Sequence, residues 1–260
     1  MKKLLLPFFI MFAAVSFAAA AGNHTPASIY AKIIEKSYIG KYQSIIIDKD
    51  ISSTQLPDGT TVKSRTYFAG GKFREETKTK NASGQTMNIV TIFTPADTFV
   101  SYDAGENFFS LGISLIDEIS SSIKNIEPFT PLAVLRDKTE IVNGAECYVI
   151  EDESNGMQRR MYVEKKTSHL VKSVVSGEDM LIITELSDYR KVDKYTAPFL
   201  MNIIIKQKTG EKQTIESTIK ITSIQFNPAI NADIFIPKNV TKLPNIPGLD
   251  NIQDIIQSLF

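Results

Sequence analysis

Two kinds of hydrophobic spacing divide the chain. Between positions 26 and 39, apolar residues recur at intervals of three and four, which predicts one amphipathic helix. Beyond it, short stretches rich in Ile, Val, Thr, Phe and Tyr alternate with Gly, Asn and Asp, a pattern typical of strands joined by turns. The sequence therefore predicts a mainly β protein with a few α-helices.

Several dipeptides mark β-hairpins, because Gly and Asn accept the positive φ angles of two-residue turns. They are Gly70-Gly71, Asn143-Gly144, Asn155-Gly156 and Thr209-Gly210. The strands they are expected to join are 62–69 with 72–79, 139–142 with 146–151, 147–152 with 159–164, and 201–207 with 213–222. Further strands are expected at 43–51, 86–93, 98–102, 170–176 and 180–188. A twisted sheet of this size curls, so we expect an incomplete, half-open barrel of antiparallel strands.

Some of these strands are apolar at consecutive positions, as at 180–183 and 203–205. A strand with one face in water should alternate, so both faces of these strands are expected to meet apolar groups. One face could meet helices while the other lines a cavity. The alternative is that helices and a second sheet layer fill this space as ordinary core.

Two segments interrupt the β pattern. Apolar side chains between Phe109 and Ile123 recur at helical spacing, which predicts a helix over residues 107–126. The tail, residues 241–260, carries the same spacing from Leu249 to Leu259 and predicts a short helix.

The first residues have the pattern of a cleavable secretory signal peptide. Lys2 and Lys3 precede an apolar run and then a group of alanines, with cleavage expected before Ala21 or Gly22. We therefore expect residues 1–21 to be removed and residues 22–240 to form one domain in the periplasm. Cys147, the one cysteine in the chain, lies far from the cleavage site and is expected to be buried in a strand.

Charge and histidine content argue against most kinds of chemistry. Without Lys2 and Lys3, the 29 basic side chains become 27 against 29 acidic ones, a net charge of −2, so we expect no nucleic-acid partner. The two histidines, His24 and His169, are expected at the surface, and no Gly-x-Ser-x-Gly turn presents a nucleophile. We expect a monomer with no catalytic residue, no bound metal and no cofactor.

Several segments, taken in order, resemble a known family. They are residues 67–76, 142–151, 160–164, 170–172 and 230–237. Their order after a signal peptide and an opening helix resembles the LolA/LolB family of outer-membrane lipoprotein-sorting proteins. The resemblance implies a half-open barrel lidded by helices, whose apolar cavity shields the acyl chains of a lipoprotein or lipid in the cell envelope without catalysis.

The resemblance also implies where cargo would bind. It places the segment 107–126 as a lid and makes eight residues candidates for lipid contact: Phe93, Phe99, Tyr102, Phe108, Phe109, Ile113, Ile116 and Ile119. An arginine on an early strand would latch the lid, and Arg65 or Arg74 could fill that role. The alternatives are that these side chains are ordinary core, and that the protein is an exported scaffold with a filled core that docks onto an envelope protein.

Overall fold

The computed structural model describes residues 24–36, 42–56, 60–80, 84–111, 130, 132–154, 156–210 and 213–242. Within these ranges, the helix α1, Pro26–Lys36, precedes fifteen strands, and a 3₁₀ turn, Ala232–Phe235, comes before the last of them. The strands are β1 (Ser44–Ser53), β2 (Val62–Ala69), β3 (Lys72–Lys80), β4 (Thr86–Phe93), β5 (Thr98–Ser101), β6 (Phe108–Ser110), β7 (Val134–Leu135), β8 (Glu140–Val142), β9 (Ala145–Ser154), β10 (Met157–Glu164), β11 (Leu170–Ser176), β12 (Met180–Val192), β13 (Tyr195–Gln207), β14 (Thr214–Phe226) and β15 (Val240–Lys242).

The expected signal peptide and the expected tail helix lie outside the described residues. The strand β15 extends past residue 240, the predicted end of the domain. No helix in the described ranges is long and apolar enough to cross a membrane.

All fifteen strands belong to one sheet. Its order is β15-β6-β5-β4-β3-β2-β1-β14-β13-β12-β11-β10-β9-β7, and β8 also pairs with β9. Neighbouring strands pair antiparallel except β15, which runs parallel to β6. Because β15 and β7 lie at opposite ends of this order, the sheet is curved but open. The predicted mainly β, half-open architecture is confirmed.

The predicted hairpins form where the glycine dipeptides stand. Both residues of the Gly70-Gly71 turn have positive φ angles, 57° and 72°, and so do Asn143 and Gly144, at 49° and 81°. One hairpin was not predicted: Asp193, with a φ of 53°, turns the chain between β12 and β13, the 13-residue strands that pair most extensively. A single Asp beside lysines is a weak turn signal, which is why the sequence did not reveal it.

The predicted helix over residues 107–126 is wrong at its start. Phe108–Ser110 form β6, which pairs with β5 on one side and β15 on the other. Backbone hydrogen bonds to two neighbouring strands override the helical spacing of the side chains in this segment. The remaining residues of that prediction, from 112 onward, lie outside the described residues.

The helix α1 identifies the face of the sheet that carries most of the core. Ile29 and Ile33 pack against β9 to β12. The residues they meet include Ile150, Met161, Val163, Leu170 and Leu186. Met201 joins this cluster to a second one around Ala197, Phe199 and Ile221. We call this side of the sheet the inner face and the opposite side the outer face.

Local signals fix both ends of α1. Thr25 caps its start, since the backbone N–H of Ser28 donates to the Thr25 hydroxyl at 3.1 Å and the backbone N–H of Thr25 donates to Ser28 Oγ at 2.9 Å. Pro26 occupies the first helical position, which needs no backbone donor. At the other end, Lys36 Nζ donates to the carbonyl oxygen of Thr167 at 2.6 Å, which ties the helix to the β10–β11 turn.

His169 lies in that same turn and is not the surface residue that the sequence predicted. Its ring is half-buried and stacks on Tyr189, with ring centroids 4.0 Å apart and planes tilted by 13°. Burial lowers the pKa of His169 below its ordinary value of 6.5, and Lys36 adds to this while Glu164 opposes it. The unfolded chain therefore takes up this proton at a higher pH than the folded protein does.

We expect stability to fall as the pH drops below the ordinary pKa of histidine, because protonation of His169 favours the unfolded chain. Its contribution is complete above that pKa and is lost as the pH falls toward the lower pKa of the folded protein. Urea unfolding at pH 7.5, 6.5 and 5.5 should show a smaller decline for His169→Gln than for the wild type. His24→Gln, a change at an exposed position, is the control; equal declines in all three proteins would contradict the prediction.

Candidate functional site

The inner face carries apolar side chains that are only half-buried. Register along the ladders places them on one side, since residues two apart on a strand share a face and paired residues do too. They are Ile47, Ile51, Ile89, Val100, Phe109, Ile182, Met201 and Ile203. We call this set the apolar strip. Its members lie on β6, β5, β4, β1, β13 and β12, next to the region that α1 covers, and polar side chains of β2 and β3 lie between Ile89 and Ile47.

The predicted lipid contacts divide between the two faces. Phe93 and Phe109 lie on the inner face; Phe93 is 6% exposed and packs edge-on against Phe73, with ring centroids 5.5 Å apart. Phe99 and Phe108 lie on the outer face, where Phe108 is 1% exposed and packs with Ile92.

Tyr102 is half-buried just beyond the end of β5, and burial raises the pKa of its hydroxyl. Ile113, Ile116 and Ile119 lie outside the described residues. Two of the eight candidates, Phe93 and Phe109, therefore lie on the inner face.

A charged pair interrupts the inner face. Lys49 Nζ lies 2.8 Å from Glu75 Oε1, and the two side chains are 17% and 14% exposed. Ser64 Oγ donates to the same carboxylate oxygen at 2.6 Å. Thr66 lies beside them, directly opposite Glu75 in the β2–β3 register. We call Lys49, Ser64, Thr66 and Glu75 the polar cluster.

The alternation of residues along β1 carries a signal for the polar cluster. Along β1, Ile45, Ile47 and Ile51 occupy alternate positions, and Lys49 takes the same phase. A lysine at an inward position of an otherwise apolar alternation needs a partner, because an unpaired buried charge is strongly unfavourable. The partner comes from β3, which the sequence could not place beside it without knowing the register.

A second ionic contact lies on the inner face near α1. The Asp152 side chain is fully buried, and it accepts hydrogen bonds from Arg159 Nη2, from the Thr130 hydroxyl at 2.5 Å and from the Thr130 backbone N–H at 3.2 Å. Burial alone would raise the pKa of Asp152, but the hydrogen bonds from Thr130 and Arg159 outweigh it and hold the pKa below its ordinary value. Asp152 is therefore an ionised anchor for the chain at residue 130.

The arginines expected to act as a latch lie elsewhere. Arg65 is on the outer face and makes a two-pronged contact with Asp48, at 2.5 and 3.0 Å. Arg74, also on the outer face, donates to Glu76 and to the carbonyl oxygen of Ile234, at 2.8 and 2.7 Å. Arg74 thus holds the 3₁₀ turn against the sheet.

The thiol of Cys147 is poorly placed to act as a nucleophile. Cys147 has no exposed surface, and burial raises the pKa of its thiol, which disfavours the nucleophilic thiolate. Across the described ranges, no three His, Cys, Asp or Glu side chains cluster in a way that could hold a metal ion.

Comparison with solved structures finds a likeness over most of the chain. A DUF1329 family protein from Desulfovibrio piger gives a TM-score of 0.50 at 12% identity, over 81% of this chain and 95% of that one. A LolA superfamily protein from Nitrosomonas europaea gives 0.46 at 14% identity, over 82% and 98%. The lipoprotein LppX of Mycobacterium tuberculosis gives 0.34 at 12% identity, over 80% and 98%.

No protein-family model matches the sequence, and no curated protein matches it either. A LolA superfamily protein is thus among the similar structures, as the resemblance predicted, and the likeness, which reaches a TM-score of 0.50 with the DUF1329 protein, is one of fold: an open, curved β-sheet. At such identities the likeness describes architecture alone.

The two faces of β6 yield a test of the site. Phe108→Ala should lower the free energy of unfolding by about 3–5 kcal/mol, because it leaves a cavity in packed core. Phe109→Ala, at a half-buried inner-face position, should lower it by less than about 2 kcal/mol. Urea titration of both variants measures the difference, and equal losses would place Phe109 in ordinary core.

Proposed function

We propose that this protein is a non-enzymatic carrier that holds the acyl chains of a lipid or lipoprotein against the inner face of its open sheet. The observation that supports this most directly is the apolar strip. Its side chains lie next to the core yet keep part of their surface open, so a hydrocarbon chain laid over them would be removed from water together with them.

Simple energetics make such a strip sufficient for binding. Each CH₂ group removed from water contributes about 0.8 kcal/mol, so an acyl chain in contact with several of these side chains needs no covalent attachment. An open sheet with free ends also allows cargo to enter and leave without unfolding, since no strand pairing has to break.

Although the outer face carries apolar clusters elsewhere, around Phe108 and Val149, it has a different character over β1 to β3. A shallow groove there, with a volume of about 660 Å³, is lined largely by charged residues of β1 to β3, including Asp48, Arg65, Glu76 and Lys78. Such a surface favours water over hydrocarbon. The asymmetry between the two faces supports binding of cargo on the inner one.

The absence of catalysis is part of the proposal. The charged side chains identified on the inner face are already paired with each other, Lys49 with Glu75 and Arg159 with Asp152. A general base must be within reach of a substrate proton, and these carboxylates are engaged in structural contacts instead. The residue pattern of positions 1–21, typical of a secretory signal peptide, supports export of the carrier to the periplasm.

Neighbouring isoleucines of β13 give a matched test. Ile203 lies in the apolar strip and Ile204 on the outer face, and both are half-buried. Ile203→Asn should weaken binding of a fluorescent fatty-acid probe about tenfold, through loss of roughly 1.4 kcal/mol of apolar contact. Ile204→Asn should leave the dissociation constant within about twofold of the wild type.

Native mass spectrometry of protein purified from the periplasm should also detect bound lipid. Equal effects of the two asparagine variants on probe binding would argue against cargo on the inner face. If the protein also emerged free of lipid, the carrier function would be refuted.

A second candidate function rests on the opposite end of the sheet. Here β7 and β8 line the edge of β9 and leave large apolar side chains open to solvent: Leu132 is 82% exposed, Val134 59% and Ile141 69%. An exposed apolar edge is typical of a site for a protein partner. In this alternative the protein is an exported scaffold that docks onto an envelope protein through this edge.

The scaffold function predicts a contact that depends on the edge. A photo-crosslinking amino acid at position 141 should give a discrete adduct in living cells. The double variant Leu132→Ser, Val134→Ser should abolish that adduct and leave binding of the fatty-acid probe unchanged. An adduct of equal yield with the double variant would remove the edge from consideration.

A further inference from the structure

Among the described residues, two buried side-chain atoms on the inner face have no hydrogen-bond partner, the Thr66 hydroxyl and Arg159 Nε. The Arg159 side chain is already held by Asp152 through Nη2, whereas the Thr66 side chain has no other polar group. Thr66 is 6% exposed, and its Oγ1 makes no hydrogen bond in the structure. Buried hydroxyl groups are nearly always paired, because leaving one unsatisfied is unfavourable. Valine would fill the same space without leaving a polar atom unsatisfied. A bound group that accepts a hydrogen bond from the hydroxyl would explain why threonine is present.

The surroundings of Thr66 limit what that partner can be. On one side, Glu75 is already engaged by Lys49 and by the Ser64 hydroxyl. On the other side, Ile47 of β1 lies opposite Thr66, and Phe68, two residues after Thr66 on β2, lies on the same face. The unpaired hydroxyl, which is itself covered from solvent, therefore lies where the polar cluster meets the apolar strip.

Charge at this point is already balanced. The Lys49 ammonium and the Glu75 carboxylate neutralise each other, so the polar cluster offers no net charge to attract an ion. An added carboxylate would lie close to Glu75 and be repelled by it. The chemistry that fits is an uncharged group with a hydrogen-bond acceptor attached to a hydrocarbon chain.

We infer that the Thr66 hydroxyl donates a hydrogen bond to the carbonyl oxygen of an acyl ester or amide, and so fixes the position of the chain on the apolar strip. This inference rests on the proposed carrier function and refines it, because it names the linkage that the carrier recognises. Acyl glycerolipids and acylated lipoproteins both carry such carbonyls, whereas a free fatty acid presents a charged carboxylate in their place.

The test compares ligands that differ in one oxygen. A 1-acylglycerol with a sixteen-carbon chain and its 1-O-alkyl ether analogue, which lacks the carbonyl, are titrated against protein loaded with the fluorescent probe. The wild type should bind the ester roughly 2- to 12-fold more tightly than the ether, the range that one net hydrogen bond provides. At pH 7 it should also bind the ester more tightly than the free acid of equal length.

Thr66→Val should remove the preference for the ester while leaving affinity for the ether unchanged. It should not lower the melting temperature, since it removes an unsatisfied group and keeps the shape of the side chain. Thr218→Val is the matched control: its hydroxyl contacts Asn202 on the outer face at 3.0 Å, and the ester preference should survive.

Each outcome bears on a different claim. Equal binding of ester and ether by the wild type, or an unchanged preference in Thr66→Val, would overturn the role of Thr66 but not the carrier. Failure of every ligand to displace the probe would overturn the carrier itself. A synthetic diacylglyceryl-cysteine lipopeptide, tested beside the acylglycerol, shows which of the two sources of the carbonyl is preferred.

Discussion

The division of one continuous sheet into two chemically different faces is the constraint on which the rest of the structure depends. Fifteen strands form a single hydrogen-bonded sheet. A slip of one residue in any pairing would exchange the two faces of every strand beyond it. The register is favoured because the inward positions are apolar where the core is packed, and the inward charges are paired with each other. Lys49 of β1 and Glu75 of β3 satisfy this condition, since they meet across the single strand β2 that lies between them.

One irregularity shows how strictly this division is kept. Between Asp48 and Lys49 the register with β14 shifts by one residue, and β14 accommodates the extra position at Thr222. Ile221 and Ile224 are three residues apart, yet both are buried in the same core cluster. Without the bulge, strict alternation would turn one of these isoleucines outward. The shift therefore keeps the inner face apolar where β14 meets β1.

The parts of this architecture that the sequence revealed are those fixed by local chemistry. The glycine turn at positions 70 and 71 and the strands 86–93 and 170–176 follow from residues next to each other in the chain. The predictions that failed concern features that depend on pairing between strands far apart in the sequence. β6 is a strand because β5 and β15 flank it, and Phe99 faces away from Phe93 because of register. For the same reason neither the polar cluster nor the Asp152 anchor could be located beforehand.

If the proposed binding face needed only apolar character, a charged pair would serve no purpose there. Removing Lys49 and Glu75 from water is unfavourable, and two apolar residues of similar size would pack there at least as well. The pair could instead fix the position of a bound hydrocarbon chain, which would otherwise be able to slide along the apolar strip. Placed beside the unpaired hydroxyl of Thr66, it separates a region that tolerates only hydrocarbon from one that accepts a neutral polar linkage. In the proposed carrier, the apolar strip would provide affinity, and the polar cluster would determine how far along it the cargo lies.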